Sequence, residues 1–240
     1  MNRKEAQDEG AIVSVVREKA SHRKVRTNEP MRSARVPAQE RSRKRYEAVL
    51  DATVKLLETT NIEDISLHDI GKACELPAAS VHYLFSTVSA IHLELSRRFN
   101  DEMTEKIIVK TRSLGMAHVN TWQEMIRAAM VLAKDELNSS RALSEVILAP
   151  VLHRSVRAIS FQTNSAFGAA SMDLYKEFFI LPDIPRLDSY FVLSTELAEG
   201  IWAGSYARHG RIDDFSFEES VRAVIAYLRC FLPETLTARE

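Results

Sequence analysis

The sequence is poor in the residues that staple or interrupt a chain. Two cysteines in 240 residues, Cys74 and Cys230, offer no even set for a disulfide framework and no second ligand at metal spacing. That excludes a stapled secreted domain and a cysteine zinc site, and it fits a reducing cytosol. Seven glycines and seven prolines, with turn clusters far apart, exclude a succession of short strands and predict long helices, so the expected class is all-α. No stretch approaches the roughly 20 continuous apolar residues that cross a bilayer. The run Ala11-Ile12-Val13-Ser14-Val15-Val16 is short and ends at Arg17, a poor signal sequence. The expectation is a soluble, cytoplasmic protein with no membrane partner.

Signatures of catalysis are equally scarce. His82, His118, His153 and His209 are far apart without HExxH spacing, no glycine-rich phosphate loop is present, and no serine sits in a nucleophile elbow. His153 with a partner such as Glu145 is the acid-base pair to weigh, but an isolated surface histidine is much the commoner role. The expectation is therefore no enzyme, no metal and no cofactor.

What the chain does have is apolar residues at 45%, enough for a sizeable core, and a length that suits a small domain plus a larger one. It also has an uneven charge. Up to Arg45 there are 13 Lys and Arg against 6 Asp and Glu, while the whole chain carries -1. Residues 1–40 read as a flexible basic extension, either a cationic arm near a polyanion or a solvated tail. Met31 offers an alternative start, which would leave a short basic lead before the first helix.

The stretch from Ser66 to Phe85 organises the rest. Ser66 with Asp69 makes a capping box at the start of one short helix, in which Leu67, Ile70 and Ala73 or Cys74 share a side. Glu75-Leu76-Pro77 breaks that helix, since proline cannot continue it but suits the opening of another. In the second helix Val81, Leu84 and Phe85 form the apolar set, leaving Ala78, Ala79, Ser80, His82 and Tyr83 outward. Small residues let a helix axis approach base edges, and a hydroxyl, an imidazole and a phenol can bond phosphates or bases. Spacing alone equally suits any pair of packed helices. Before it, a helix from about Arg41 or Ser42 to Glu58 carries Tyr46, Val49, Leu50, Thr53, Leu56 and Leu57 on one face, with Arg43, Lys44 and Arg45 at its start to reach phosphates. Asn61 is the residue expected to take the left-handed turn after it. Ser66 and Thr87 complete the candidate DNA contacts; Ser86 or Thr87 can cap the next helix, in which Ile91, Leu95, Phe99, Met103 and Ile107 recur every four residues.

From Arg45 to about Met103 the chain resembles the DNA-binding domain of TetR/AcrR (tetracycline-repressor-like) regulators. Arg45 to Leu57 is similar to that family's first helix, Ser66-Leu67-His68-Asp69-Ile70 to its second-helix opening, and Ala79 to Phe85 to its recognition helix. Three positions depart from the pattern: Glu75 stands for the turn glycine, His82 for a tyrosine, and Val88 for a phosphate-touching lysine. The resemblance implies a homodimeric transcriptional regulator, usually a repressor, that binds a double-stranded DNA operator. It divides the chain into the extension, a three-helix head over residues 41–103 with its helix-turn-helix at about 66–85, and a helical effector-binding and dimerisation domain over 104–240. The alternative is a helical protein-interaction module whose reading head is degenerate.

In the larger region, Thr121-Trp122-Gln123-Glu124 and Ser216-Phe217-Glu218-Glu219 both read as capping boxes. A short helix ends before Pro150, a long one runs from Ser155 to Phe179, and the last two run from about Leu187 to Arg208 and Phe217 to Leu232. Gly200, Ala203 and Gly204 would let the helix that holds them approach a neighbour closely. The resemblance implies that this last pair meets its twin in a dimer; an intramolecular core would instead predict a monomer. Candidate pocket residues are Trp122, Met125, Met130, Phe161, Phe167, Tyr175 and Trp202, with Arg157, Gln162 and Asn164 as polar contacts. Such a lining suits an apolar or amphipathic small-molecule effector, although each of these aromatics and methionines singly also suits plain core packing.

Overall fold

The computed structural model describes residues 39–118, 120–149 and 154–239. The basic extension up to residue 38, the alternative start at Met31, Pro150 and His153 lie outside the described residues. Within them the chain is helical: α1 (Glu40–Leu57), a 3-10 turn (Ile62–Asp64), α2 (Leu67–Ala73), α3 (Ala78–Leu84), α4 (Val88–His118, broken at Gly115), α5 (Trp122–Ser139), α6 (Arg141–Leu148), α7 (Arg154–Phe178), α8 (Leu187–His209) and α9 (Asp214–Leu228). One exception to the all-α expectation is a two-residue antiparallel pairing of Phe179–Ile180 with Thr237–Ala238, which ties the end of the chain to the end of α7.

In the first three helices the apolar spacing does what it promises. Tyr46, Val49, Leu50, Thr53 and Leu57 of α1 are buried, together with Ile70 of α2 and Val81 and Leu84 of α3. Phe85 just beyond α3 is fully buried and stacks on Tyr46, ring centroids 4.8 Å apart. The Ser66–Asp69 capping box forms in both directions. Glu75 adopts a left-handed backbone (φ 56°), and Leu76 N–H bonds the Gly71 carbonyl at 2.9 Å, closing α2 with a Schellman turn although no glycine is present. Gly71 matters for another reason: a Cβ there would sit 3.0 Å from the Leu76 carbonyl oxygen, so the tight turn requires its absence.

α4 crosses the expected boundary at residue 103 without interruption and serves both regions. Ile91, Leu95 and Ile107 are buried along it, and Phe99 and Met103 are half-buried against the core. Beyond it, α7 packs on α4 and α8, and α8 on α9. At Gly168 an added Cβ would meet Val192 backbone atoms at 2.9 Å, so this glycine lets α7 and α8 touch.

Local expectations fail at two helix ends. The cap of α9 is Asp213, which accepts from Ser216 N–H at 2.7 Å, and the helix starts at Asp214; Ser216 is itself in the first turn, so it does not open a capping box. Asn61 is extended (φ -73°, ψ 153°) because it caps the 3-10 turn and does not reverse the chain. Among the described residues, no helix is long and apolar enough to cross a membrane.

Candidate nucleic-acid interface and effector cavity

The polar face of the head is built on its packed interior. With Val81, Leu84 and Phe85 turned inward, α3 presents Ala78, Ala79, His82 and Tyr83 to solvent and leaves Ser80 half-exposed. Tyr83 is 64% exposed, unusual for a large aromatic ring. Arg45 comes from the first turns of α1 and shares a surface notch with Ser42, Ala79, Ser80 and Tyr83. Arg43, Lys44 and Arg45 are all exposed, and Lys44 also pairs with Glu40 at 3.2 Å. Cationic and hydrogen-bonding groups thus share a surface with a helix whose small residues permit close approach.

Two candidate contacts have local work as well. The Ser66 hydroxyl oxygen accepts from Asp69 N–H at 3.2 Å, while the Ser66 hydroxyl and amide donate to the Asp69 carboxylate at 2.5 and 3.0 Å. The two bonds donated to it, from the hydroxyl first and then the amide, hold the Asp69 carboxyl below its ordinary range. The Thr87 hydroxyl oxygen accepts from Ala90 N–H at 3.1 Å, capping α4 while the residue remains exposed. Val88, where the resemblance expects lysine, is half-buried against the core.

A cavity of about 120 Å³ lies in the larger region, walled by α4 to α9. Its apolar wall includes Ile107, Met130, Leu148, Phe167, Trp202 and Leu228. Polar groups gather where Asn164 and Glu199 meet: Asn164 Nδ2 donates to Glu199 Oε2 at 2.5 Å, while Arg157 donates to Glu199 Oε1 at 3.0 Å. Tyr175, wholly buried at another part of the wall, has its phenol pushed far up by burial.

Between head and cavity lies a set of bonds centred on α6. Arg141 donates to the carbonyls of Leu57 (2.5 Å) and Thr60 (3.0 Å) and to the Asn61 side chain (2.6 Å). Glu58 in return accepts from the Ser140 hydroxyl and the Ala142 amide at the start of α6. Glu145, buried, takes Ile62 N–H on one oxygen at 3.0 Å and the Tyr206 hydroxyl on the other at 2.5 Å. Burial and this bond push the Tyr206 phenol up. One turn further, Ile147 and Leu148 line the cavity. A single short helix therefore touches both the base of the head and the cavity wall.

No protein-family model matches the chain, and no curated protein matches it. Solved structures do. A TetR-family transcriptional regulator from Streptomyces coelicolor superposes with a TM-score of 0.56 at 19% identity, over 80% of this chain and 99% of that one. A TetR transcriptional regulator from Rhodococcus sp. RHA1 gives 0.55 at 15% identity, over 79% and 98%. This is the TetR-regulator fold. SmeT, the repressor of the Stenotrophomonas maltophilia multidrug efflux pump SmeDEF, shares it with a TM-score of 0.56 at 13% identity, over 79% of this chain and 91% of that one.

Within the TetR fold, the candidate residues fall into groups. Arg45, Ala79, Ser80 and Tyr83 come together, with Arg43, Lys44, Ala78 and His82 exposed on the same small helical head. Met130, Phe167, Tyr175, Trp202 and Asn164 line the cavity. Trp122, Met125, Arg157 and Phe161 are not among its lining. Trp122 is fully buried with its indole N–H on the Pro233 carbonyl at 3.0 Å, Met125 is buried in the core, and Phe161 is half-exposed. Gln162 is exposed. Glu145 binds Ile62 N–H and the Tyr206 hydroxyl, one on each oxygen, and its expected partner His153 lies outside the described residues. Sequence reasoning overlooked Glu199, Arg141 and Glu58. Glu199 stands beside Ala198 and three residues before Trp202, but Glu196 stands in the same stretch, so position alone did not separate the two carboxylates. Arg141 and Glu58 had no signal, because their partners are carbonyls and amides some 80 residues away.

Proposed function

We propose that this protein is a sequence-specific DNA-binding transcriptional regulator of the TetR type, a homodimeric repressor released by a small-molecule effector. The observation that carries the reading is the outward face of α3, where Ala78, Ala79, His82 and Tyr83 are exposed beside Arg45 while Val81, Leu84 and Phe85 are locked in the core. A helix-turn-helix of this form lays its second helix in a major groove, with basic residues at the flank neutralising phosphates.

Dimerisation rests on the α8–α9 pair. Leu193 and Leu197 are exposed on α8, Gly200 has open space where a Cβ would stand, and Phe215 at the start of α9 is 76% exposed. To read one face of DNA, a second copy covering this surface must hold the two recognition helices about 34–36 Å apart, one turn of DNA. SmeT, which has this fold, is described as the repressor of a multidrug efflux pump, and a solved structure is of its complex with triclosan. The cavity supplies the corresponding place for an effector here, and α6 gives a route from cavity to head. An effector releases DNA only to the extent that it binds one arrangement of the dimer better than the other, and the coupling is equal in both directions.

Gel-shift of the purified protein against the region upstream of its own gene, in a salt series, tests the reading. Specific binding that weakens steeply with salt supports it. No binding at low salt would favour a helical interaction module. Sedimentation separates dimer from monomer.

A further inference from the structure

The chemistry of the cavity wall selects its occupant. Among the described residues that line it there is no Lys, Arg or His, and Glu199 is the single carboxylate. The Glu199 side chain is 15% exposed, and each oxygen already accepts one bond, from Arg157 and from Asn164. A carboxylate oxygen has a second acceptor position, so the polar corner still takes a donor. An incoming anion would meet the Glu199 carboxylate with no Lys, Arg or His in the described lining to offset it, in surroundings that screen little. The volume, about 120 Å³, is below the roughly 300–1,000 Å³ of pockets for drug-sized ligands, and the rest of the wall is mostly aliphatic and aromatic, interrupted by neutral amides and by hydroxyls such as Thr104, Thr163 and Ser194.

We infer that the cavity binds a compact, mostly apolar molecule whose polar end is a hydrogen-bond donor directed at Glu199, an amine or hydroxyl, and that it rejects carboxylates of the same shape. As an effector site it rests on the regulator reading; as a binding site it does not, and the two are measured separately. Arg157 holds the Glu199 carboxylate in place from the side, a counter-charge for a largely buried acid.

The test uses the full-length protein without DNA and three probes of one shape: benzylamine, benzyl alcohol and benzoate, by isothermal titration calorimetry at neutral pH. Benzylamine is expected to bind at least tenfold more tightly than benzoate, with benzyl alcohol between. Glu199→Gln should remove most of benzylamine's advantage while leaving benzoate unchanged or improved. Ala129→Phe, which fills the cavity, should reduce binding of all three probes. Benzoate binding as well as benzylamine, or none of the probes binding at millimolar concentration, overturns the inference whether or not either variant folds. If benzylamine binds as expected but leaves DNA affinity unchanged, the site chemistry stands and the effector role falls.

Discussion

The head and the larger region solve opposite problems with the same kind of helix. In the head, α1 to α3 bury a compact apolar set and put their distinctive residues outside, on Tyr83, His82 and Arg45. In the larger region, α4 to α9 leave space inside and direct residues such as Met130, Phe167 and Glu199 into it. A surface that reads a large rigid polyanion gains from a well-packed support, because the support fixes where each donor stands. A cavity that accepts a small molecule gains from incomplete packing, because an empty apolar space costs contact energy that a ligand restores. The α6 interlock joins the two without making them alike.

Removing the support should break the comparison most severely. Phe85→Ala deletes a fully buried ring stacked on Tyr46, and is expected to cost about 3–5 kcal/mol. Chemical denaturation monitored by circular dichroism measures it, and DNA binding should be lost along with the fold of the head. A loss below about 1 kcal/mol would mean that the head tolerates cavities as the larger region does.

Cutting the connection comes next. Glu145→Ala leaves Ile62 N–H and the Tyr206 hydroxyl without their acceptor, and each buried unsatisfied donor costs about 1–3 kcal/mol. Beyond lower stability, hydrogen exchange should rise at the 3-10 turn (Ile62–Asp64) before it rises in α5. Equal exchange in both places would show that head and larger region do not come apart at this joint. Tyr83→Ala and His82→Ala act on the exposed face of α3: each should weaken operator binding by about 1–3 kcal/mol in a gel-shift titration, with the unfolding midpoint shifted far less than by Phe85→Ala. A matching fall in stability would reassign either residue to the core.

The same contrast explains what the sequence disclosed. In the head, the apolar repeat of α1 and the pattern Val81, Leu84, Phe85 identify the inward face, so whatever remains is outward and open to functional reading. In the larger region the inward face is again the apolar one, but it contains both core and cavity wall, and nothing in residue type separates Met125, which is packed in the core, from Met130, which lines the space. Trp122 and Trp202 diverge for the same reason: one indole N–H reaches the Pro233 carbonyl and the other the Ser220 hydroxyl, and only the second ring borders the cavity. Arg141 and Glu58 look like ordinary surface charges in the sequence; they become a joint only when α1 and α6 meet. The capping boxes at Ser66 and Thr121 were legible because their partners lie three residues away, while Ser216 misled because Asp213, a stronger start signal, stands three residues before it.

The smallest expected effect concerns how the head holds its own outer surface in acid. Ser66 and its amide keep the Asp69 carboxyl below its ordinary value of 3.8, and the nearby His68 and Lys72 push in the same direction. A carboxyl depressed in the folded state contributes stability that is fully present above its unfolded value and disappears as pH falls through the lower folded value. The capping box should therefore weaken only below about pH 4, and since Asp69 is exposed the change will be small. Asp69→Asn keeps a cap-facing oxygen but cannot be protonated, so its unfolding midpoint should fall slightly at pH 7 and converge on the parent protein's as the pH approaches 3. Thermal melts across that range measure it. If the two proteins instead diverge as pH falls, Asp69 is held by something other than Ser66, and the start of α2 does not owe its position to the cap.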